Sequence, residues 1–170
     1  SNTIILDSIF QGPATNGLYP DEDSSGIVIE NNLVSGALKN GIFLAATTAS
    51  TVIGNTVVNN GTNGIFLGEV SSSNVVSNNV VSGNGFDPIT SSIPPVGNGI
   101  GIAADSSLNT IQGNTLSNNA VFGIDNLGTN NQILNNTASG NGTGNYHTAT
   151  GTIVTSTAGA AALAGANISA

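Results

Sequence analysis

Residues 55–67 read NTVVNNGTNGIFL, and most of the chain rewrites that line. An apolar residue, an Asn three places later and an apolar residue two beyond it recur as Ile29/Asn32/Val34, Val52/Asn55/Val57, Val75/Asn78/Val80, Ile111/Asn114/Leu116 and Ile133/Asn136/Ala138. The asparagines stand 23, 23, 36 and 22 residues apart. A second marker, Gly-Ile-x-apolar, begins at Gly41, Gly64, Gly99 and Gly123, nine residues after its Asn in three of the four copies. From Asn78 to Gly99 the interval is twelve longer, and the surplus GFDPITSSIPPV at 85–96 reads as a loop inserted into one copy. Weaker copies flank these: Ile4/Asp7/Ile9 followed by Gly17-Leu18-Tyr19-Pro20, and Asn145-Tyr146-His147-Thr148 nine residues after Asn136. The segment TIVTST at 152–157 could begin one more turn.

A period near 23 built from short Val- and Ile-rich segments is the signature of a solenoid. One copy cannot bury its apolar residues alone. Copies stacked every ~4.8 Å make a continuous core with parallel strands. Asn and Gly suit the corners because both tolerate left-handed backbone angles. Aligned asparagines also hydrogen-bond amide to amide, which predicts a ladder of Asn32, Asn55, Asn78, Asn114 and Asn136. A leucine-rich repeat of similar length would need Leu at fixed places and a helical side, and has neither here.

The xGIxL and xIxxNxI motifs resemble the repeat of the pectate-lyase-like and NosD-like right-handed parallel β-helix superfamily. The resemblance spans most of the chain and implies the right-handed coil. It leaves activity open, since that superfamily holds lyases, hydrolases, epimerases, tailspikes and noncatalytic surface proteins. The expected fold is all-β: a right-handed parallel β-helix of about six turns over residues 1–157, with an Ala/Gly-rich tail at 158–170.

Composition narrows the partners. Only 6% of the 170 residues are charged, the net charge is −8, and Lys39 is the sole Lys or Arg. Nucleic acid, which is held by cationic contacts to phosphate, is excluded as a partner. An anionic membrane surface is disfavoured likewise, and no apolar run reaches the ~18 residues of a membrane span. With no Cys there are neither disulfides nor thiolate metal sites. The opening SNTIILD lacks a basic n-region, and with the Asn/Gly/Ser/Thr-rich style this predicts a secreted or cell-surface protein whose signal has been removed.

Alternation within Gly-Ile-x-Leu turns Ile42/Leu44, Ile65/Leu67, Ile100/Ile102 and Ile124/Asn126 inward. Outward, in stacking order, come Tyr19, Phe43, Phe66, Gly101, Asp125 and His147. Three successive aromatics, Tyr19, Phe43 and Phe66, make a candidate surface with three readings: stiffening of the sheet or cover by loops, self-association or another surface partner, or stacking on sugar rings. Asp21, Glu22 and Asp23 beside them read as a solvated loop, with a weak alternative as a Ca²⁺ site. No other cofactor is expected.

Catalysis is not expected. Uronate chemistry must neutralise a carboxylate, usually with Arg, Lys or a cation, and those groups are nearly absent. Glu30, Glu69, Asp105 and Asp125 do not pair at one register as glycoside hydrolysis requires. His147 beside Asp125 reads as a surface contact. The expectation is therefore a noncatalytic structural or adhesive β-helix, self-assembling through open ends or its aromatic ladder. The alternative is a carbohydrate-binding or carbohydrate-active module.

Overall fold

A computed structural model describes residues 3–86, 97–149 and 153–155. The predicted tail at 158–170 and most of the predicted loop at 85–96 lie outside them. The described residues contain eighteen short strands and no helix. The first turn holds β1 (Ile4–Leu6) and β2 (Ile9–Gln11), and the second β3 (Val28–Glu30), β4 (Leu33–Ser35) and β5 (Ile42–Ala45). The third has β6 (Thr51–Ile53), β7 (Thr56–Val58) and β8 (Ile65–Gly68), and the fourth β9 (Val75–Ser77), β10 (Val80–Ser82) and β11 (Ile100–Ile102). The fifth has β12 (Thr110–Gln112), β13 (Thr115–Ser117) and β14 (Phe122–Asn126). The sixth has β15 (Gln132–Leu134), β16 (Thr137–Ser139) and β17 (Gly144–Thr148), after which β18 (Ile153–Thr155) opens a further turn on β15.

Every pairing between these strands is parallel and joins one turn to the next. Three sheets result, of seven, six and five strands, starting respectively with β1, β2 and β5. The chain is a β-solenoid of about six turns.

Three residues make a strand because left-handed corners end it. After β1, β3, β6, β9, β12 and β15 come Asp7, Asn31, Gly54, Asn78, Gly113 and Asn135, all with φ between 46° and 66°. Only Gly, and Asn or Asp at modest cost, enters that region readily. Between corners the side chains alternate: Ile29, Val52, Val76, Ile111 and Ile133 line the first sheet's inner face, and Val34, Val57, Val81 and Leu116 the second's, all fully buried. Ile42/Leu44, Ile65/Leu67, Ile100/Ile102 and Ile124 complete the core from the third sheet. Each such side chain contributes roughly 1.5–3 kcal/mol on burial. Tyr146 closes the last turn, its hydroxyl donating to the Asn136 carbonyl at 2.8 Å.

The asparagine ladder runs Asn32–Asn55–Asn79–Asn114–Asn136, which corrects the sequence reading at Asn78. Asn79 Oδ1 accepts from the Asn55 backbone N–H at 2.9 Å, and Asn79 Nδ2 donates to Asn114 Oδ1 at 2.9 Å. Asn78 is the exposed left-handed corner before it. Doublets at Val75/Val76, Asn78/Asn79 and Val80/Val81 satisfy the spacing in two registers, and a slip of one residue exchanges inside for outside. Val76 and Val81 are buried, whereas Val80 is 46% exposed.

Three further ladders have no counterpart in the sequence reading. Asn60–Asn84–Asn119–Asn141 follows the second sheet, Asn74–Asn109–Asn131 precedes the first, and Asn16–Asn40–Asn63–Asn98 precedes the third. They leave no buried side-chain polar atom unsatisfied among the described residues. For the first two of these the signal was present as Asn five residues before and after the first ladder, as in Asn74/Asn79/Asn84 and Asn109/Asn114/Asn119. The Gly-Ile glycines have a different role from the corner one expected. Gly64 lacks a positive φ, and a Cβ there would lie 2.3 Å from Val81 Cγ1 and 2.9 Å from the Gly99 carbonyl oxygen.

Candidate functional site

The third sheet carries one line of outward side chains at a single register. Phe43 pairs with Phe66, Phe66 with Gly101, Gly101 with Asp125, and Asp125 with His147. Leu18 bridges to Ile42, which sets Tyr19 beside Phe43. Tyr19 and Phe43 stack with ring centroids 5.0 Å apart, and Phe43 and Phe66 sit 5.2 Å apart with planes tilted by 42°.

These rings lie over the sheet rather than standing away from it. A Cβ on Gly68 would come 2.9 Å from Phe66 Cε1 and 3.3 Å from Phe43 Cε2. One on Gly101 would come 3.0 Å from Phe66 Cδ2. Gly68, Gly101 and Ala45 are buried beneath this cover. The result is an aromatic ladder, ring against ring, in which Tyr19 is 46% exposed and the two phenylalanines are half-buried. A depression of about 280 Å³ opens at the first turn, lined by Thr3, Ile5 and Ile27 as well as by Tyr19, Pro20, Asp21 and Ser24.

Carboxylates crowd that end. The Tyr19 phenol is pushed up to about 12, first by a hydrogen bond to Asp21, then by desolvation and by the negative charges of Asp21, Glu69 and Glu22. Asp21, Glu22 and Asp23, the cation candidate of the sequence, lie together on the turn that follows Tyr19. Glu22 and Asp23 occupy left-handed turn positions, and Asp21 Oδ1 accepts from the Glu22 backbone N–H at 2.7 Å. Among the described residues no three His, Cys, Asp or Glu side chains form a group able to hold a metal ion.

At the other end, His147 Nδ1 lies 2.7 Å from Asp125 Oδ1. Asn98 Nδ2 donates to Asp125 Oδ2 at 3.2 Å, and the Phe122 ring stacks on the imidazole at 5.0 Å. An isolated exposed ion pair pays rotamer entropy and is weakly held. Here the carboxylate is held from its other oxygen and the imidazole from its face. With Nδ1 donating to Asp125, the ring presents Nε2, the arrangement by which a carboxylate orients a histidine for proton transfer.

This end adjoins a break in a ladder. Asn40, Asn63 and Asn98 each precede the glycine of a Gly-Ile strand, and in the next turn that place belongs to Phe122. The Asn98 amide has no asparagine above it. Its oxygen accepts from the Phe122 backbone N–H at 3.0 Å, while its nitrogen turns to Asp125.

The family profile described as "Right handed beta helix region" matches residues 1–167. The chain belongs to the right-handed β-helix family. Comparison with curated proteins gives no match. Among solved structures, the chain is similar to the A-module of mannuronan C-5 epimerase AlgE6 from Azotobacter vinelandii, at TM-score 0.75 and 14% identity, over 92% of this chain and 46% of that one. The periplasmic alginate epimerase AlgG gives 0.66 and 24% over 75% and 28%, and pectate lyase Pel9A gives 0.59 and 17% over 78% and 39%. The chain thus spans less than half the length of each, and identities this low speak for the fold. The expectation of a noncatalytic structural or adhesive element is corrected by this company, which consists of epimerases and a pectate lyase.

Proposed function

We propose that the outer face of the third sheet engages a polysaccharide laid along the solenoid axis, across the strands. Tyr19, Phe43 and Phe66 are the stacking subsites, and the Asp125–His147 pair is the proton-handling end. The observation that carries this is the unbroken register of Tyr19, Phe43, Phe66, Gly101, Asp125 and His147 over six successive turns. The exposed surface of such a ring ladder packs against the C–H faces of pyranose rings while leaving sugar hydroxyls to water and to neighbouring polar groups. Repeated subsites at the ~4.8 Å strand spacing suit a repeating ligand.

His147, oriented by Asp125, is the group available to take or give a proton at a sugar carbon or glycosidic oxygen. The similarity to alginate epimerases and a pectate lyase supports a carbohydrate-active role, and that one of them is periplasmic supports export of this chain. Titration calorimetry with a panel of oligosaccharides tests the binding. Phe43→Ala and Phe66→Ala should each weaken the bound glycan about tenfold, the change that 1.4 kcal/mol makes. Binding indifferent to both substitutions, or no binding to any glycan, refutes the reading. Turnover of a bound glycan should fall with His147→Gln while its affinity changes little.

A further inference from the structure

We infer that this face selects a glycan bearing ammonium groups, an amino-sugar polymer, over the polyuronates on which its structural neighbours act; the inference rests on the reading of the face as a glycan surface. The argument is charge placement. Of the nine carboxylates in the chain, six (Asp21, Glu22, Asp23, Glu69, Asp105 and Asp125) lie on the third sheet or just past the ends of its strands. Ala45 N–H bonds to the Pro20 carbonyl and Ala46 N–H to the Gly68 carbonyl, so Asp21 and Glu69 flank the same edge of the aromatic ladder. The Tyr19 phenol senses Asp21, Glu69 and Glu22 together. The sole Lys or Arg, Lys39, precedes β5 and so lies at the opposite edge of the sheet.

A polyuronate would set a carboxylate on every ring against this acidic edge, with no arginine to receive any of them. Like charges facing across an interface reject the wrong partner more effectively than they tune the right one. An ammonium group on every ring meets the reverse situation. It finds carboxylates along one edge, beside the ladder of Tyr19, Phe43 and Phe66. The field of a chain of net charge −8 also steers a polycation toward it.

The test uses oligomers of equal length: β-linked glucosamine, its N-acetylated counterpart, and mannuronate with and without Ca²⁺. Each is titrated into the protein at low and at physiological ionic strength. Two or three exposed charge contacts of ordinary strength predict about tenfold tighter binding of the glucosamine oligomer than of the N-acetylated one at low salt. That margin should shrink as salt rises. Glu69→Gln with Asp21→Asn should erase the margin and leave N-acetylated binding as it was. Equal binding of both oligomers, each weakened by Phe66→Ala, overturns the charge selection and leaves the glycan face standing. So does tighter binding of mannuronate under either Ca²⁺ condition. No binding of any oligomer overturns the glycan face and this inference with it.

Discussion

Adjacent asparagines make the sharpest test of the architecture, because Asn78 and Asn79 are indistinguishable by type and separated by one peptide bond. Asn79 is buried and makes four hydrogen bonds through its side chain. Its Oδ1 accepts from Asn55 N–H and Asn55 Nδ2 at 2.9 and 3.0 Å, and its Nδ2 donates to the Val52 carbonyl at 3.0 Å and to Asn114 Oδ1 at 2.9 Å. Asn79→Ala removes all four, but not every partner suffers equally. Asn55 Nδ2 keeps the Ile29 and Ile53 carbonyls, and Asn114 Oδ1 keeps the Asn79 backbone N–H. The Asn55 backbone N–H is left stranded inside the stack. A stranded buried donor costs ~1–3 kcal/mol, and the remaining lost bonds add a few tenths to about 1 each, so we expect a loss of about 3–4 kcal/mol. Asn78 is exposed at φ 55°, and Asn78→Gly trades relief of that angle for added chain entropy, a change within ~0.5 kcal/mol. Urea unfolding followed by circular dichroism measures both. Amide exchange at Asn55 provides a local reading, which should quicken in Asn79→Ala alone. If Asn78→Gly costs as much as Asn79→Ala, or if Asn55 exchange is unmoved by the latter, the ladder passes through the wrong residue.

The other predictions concern the aromatic ladder and its support. Gly68→Ala puts a methyl against Phe66 Cε1 and Phe43 Cε2, so the rings must lift; ring-current shifts should change and glycan affinity fall, with the unfolding midpoint little affected. Gly64→Ala drives a methyl into Val81 and the Gly99 backbone, and overpacking of that kind should cost ~1–3 kcal/mol in urea unfolding. Asp21→Asn should bring the Tyr19 titration, read by ring NMR, down from about 12 toward the ordinary 10.0. The sign follows from the raised value: the folded state holds the phenol proton more tightly, so this contribution to stability is complete below pH 10 and fades as pH rises through about 12. A midpoint unchanged in Asp21→Asn would remove Asp21 as the cause.

The fold was legible because the solenoid repeats one local solution, and each level of the sequence agrees with it. Val and Ile at alternate places, Asn at the ladders and Gly where two backbones touch all repeat at the same period. The residue-level register was less legible. Each Asn-Asn pair among Asn31/Asn32, Asn59/Asn60, Asn78/Asn79, Asn118/Asn119, Asn130/Asn131 and Asn135/Asn136 has the same division of labour: the first turns the chain at positive φ and the second joins a ladder. Composition cannot separate these roles, since one residue type serves both. Only the requirement that Val76 and Val81 face inward does so. The order Tyr19, Phe43, Phe66, Gly101, Asp125, His147 came from counting alone. The way the rings fold down onto Gly68 and Gly101 did not, because a glycine in a strand does not announce which neighbour uses its space.

What counting did not show at the candidate site is a place where the repeat fails. In a structure whose stability comes from identical residues stacking, a non-matching residue forfeits a hydrogen bond that its neighbours above and below would have shared. Phe122 does so at the ladder of Asn40, Asn63 and Asn98, whose amides donate to the asparagine one turn before: it gives Asn98 Oδ1 only its backbone N–H, while Asn98 Nδ2 goes to Asp125. The Phe122 ring, in turn, lies against His147. Phe122→Asn should therefore give Asn98 Oδ1 a second donor and raise the unfolding midpoint, uncovering the imidazole while Asn98 Nδ2 stays on Asp125. If the restored ladder leaves the His147 ring shifts and glycan turnover unchanged, Phe122 is a packing residue, and the end of the line at Asp125 and His147 owes nothing to the break beneath it.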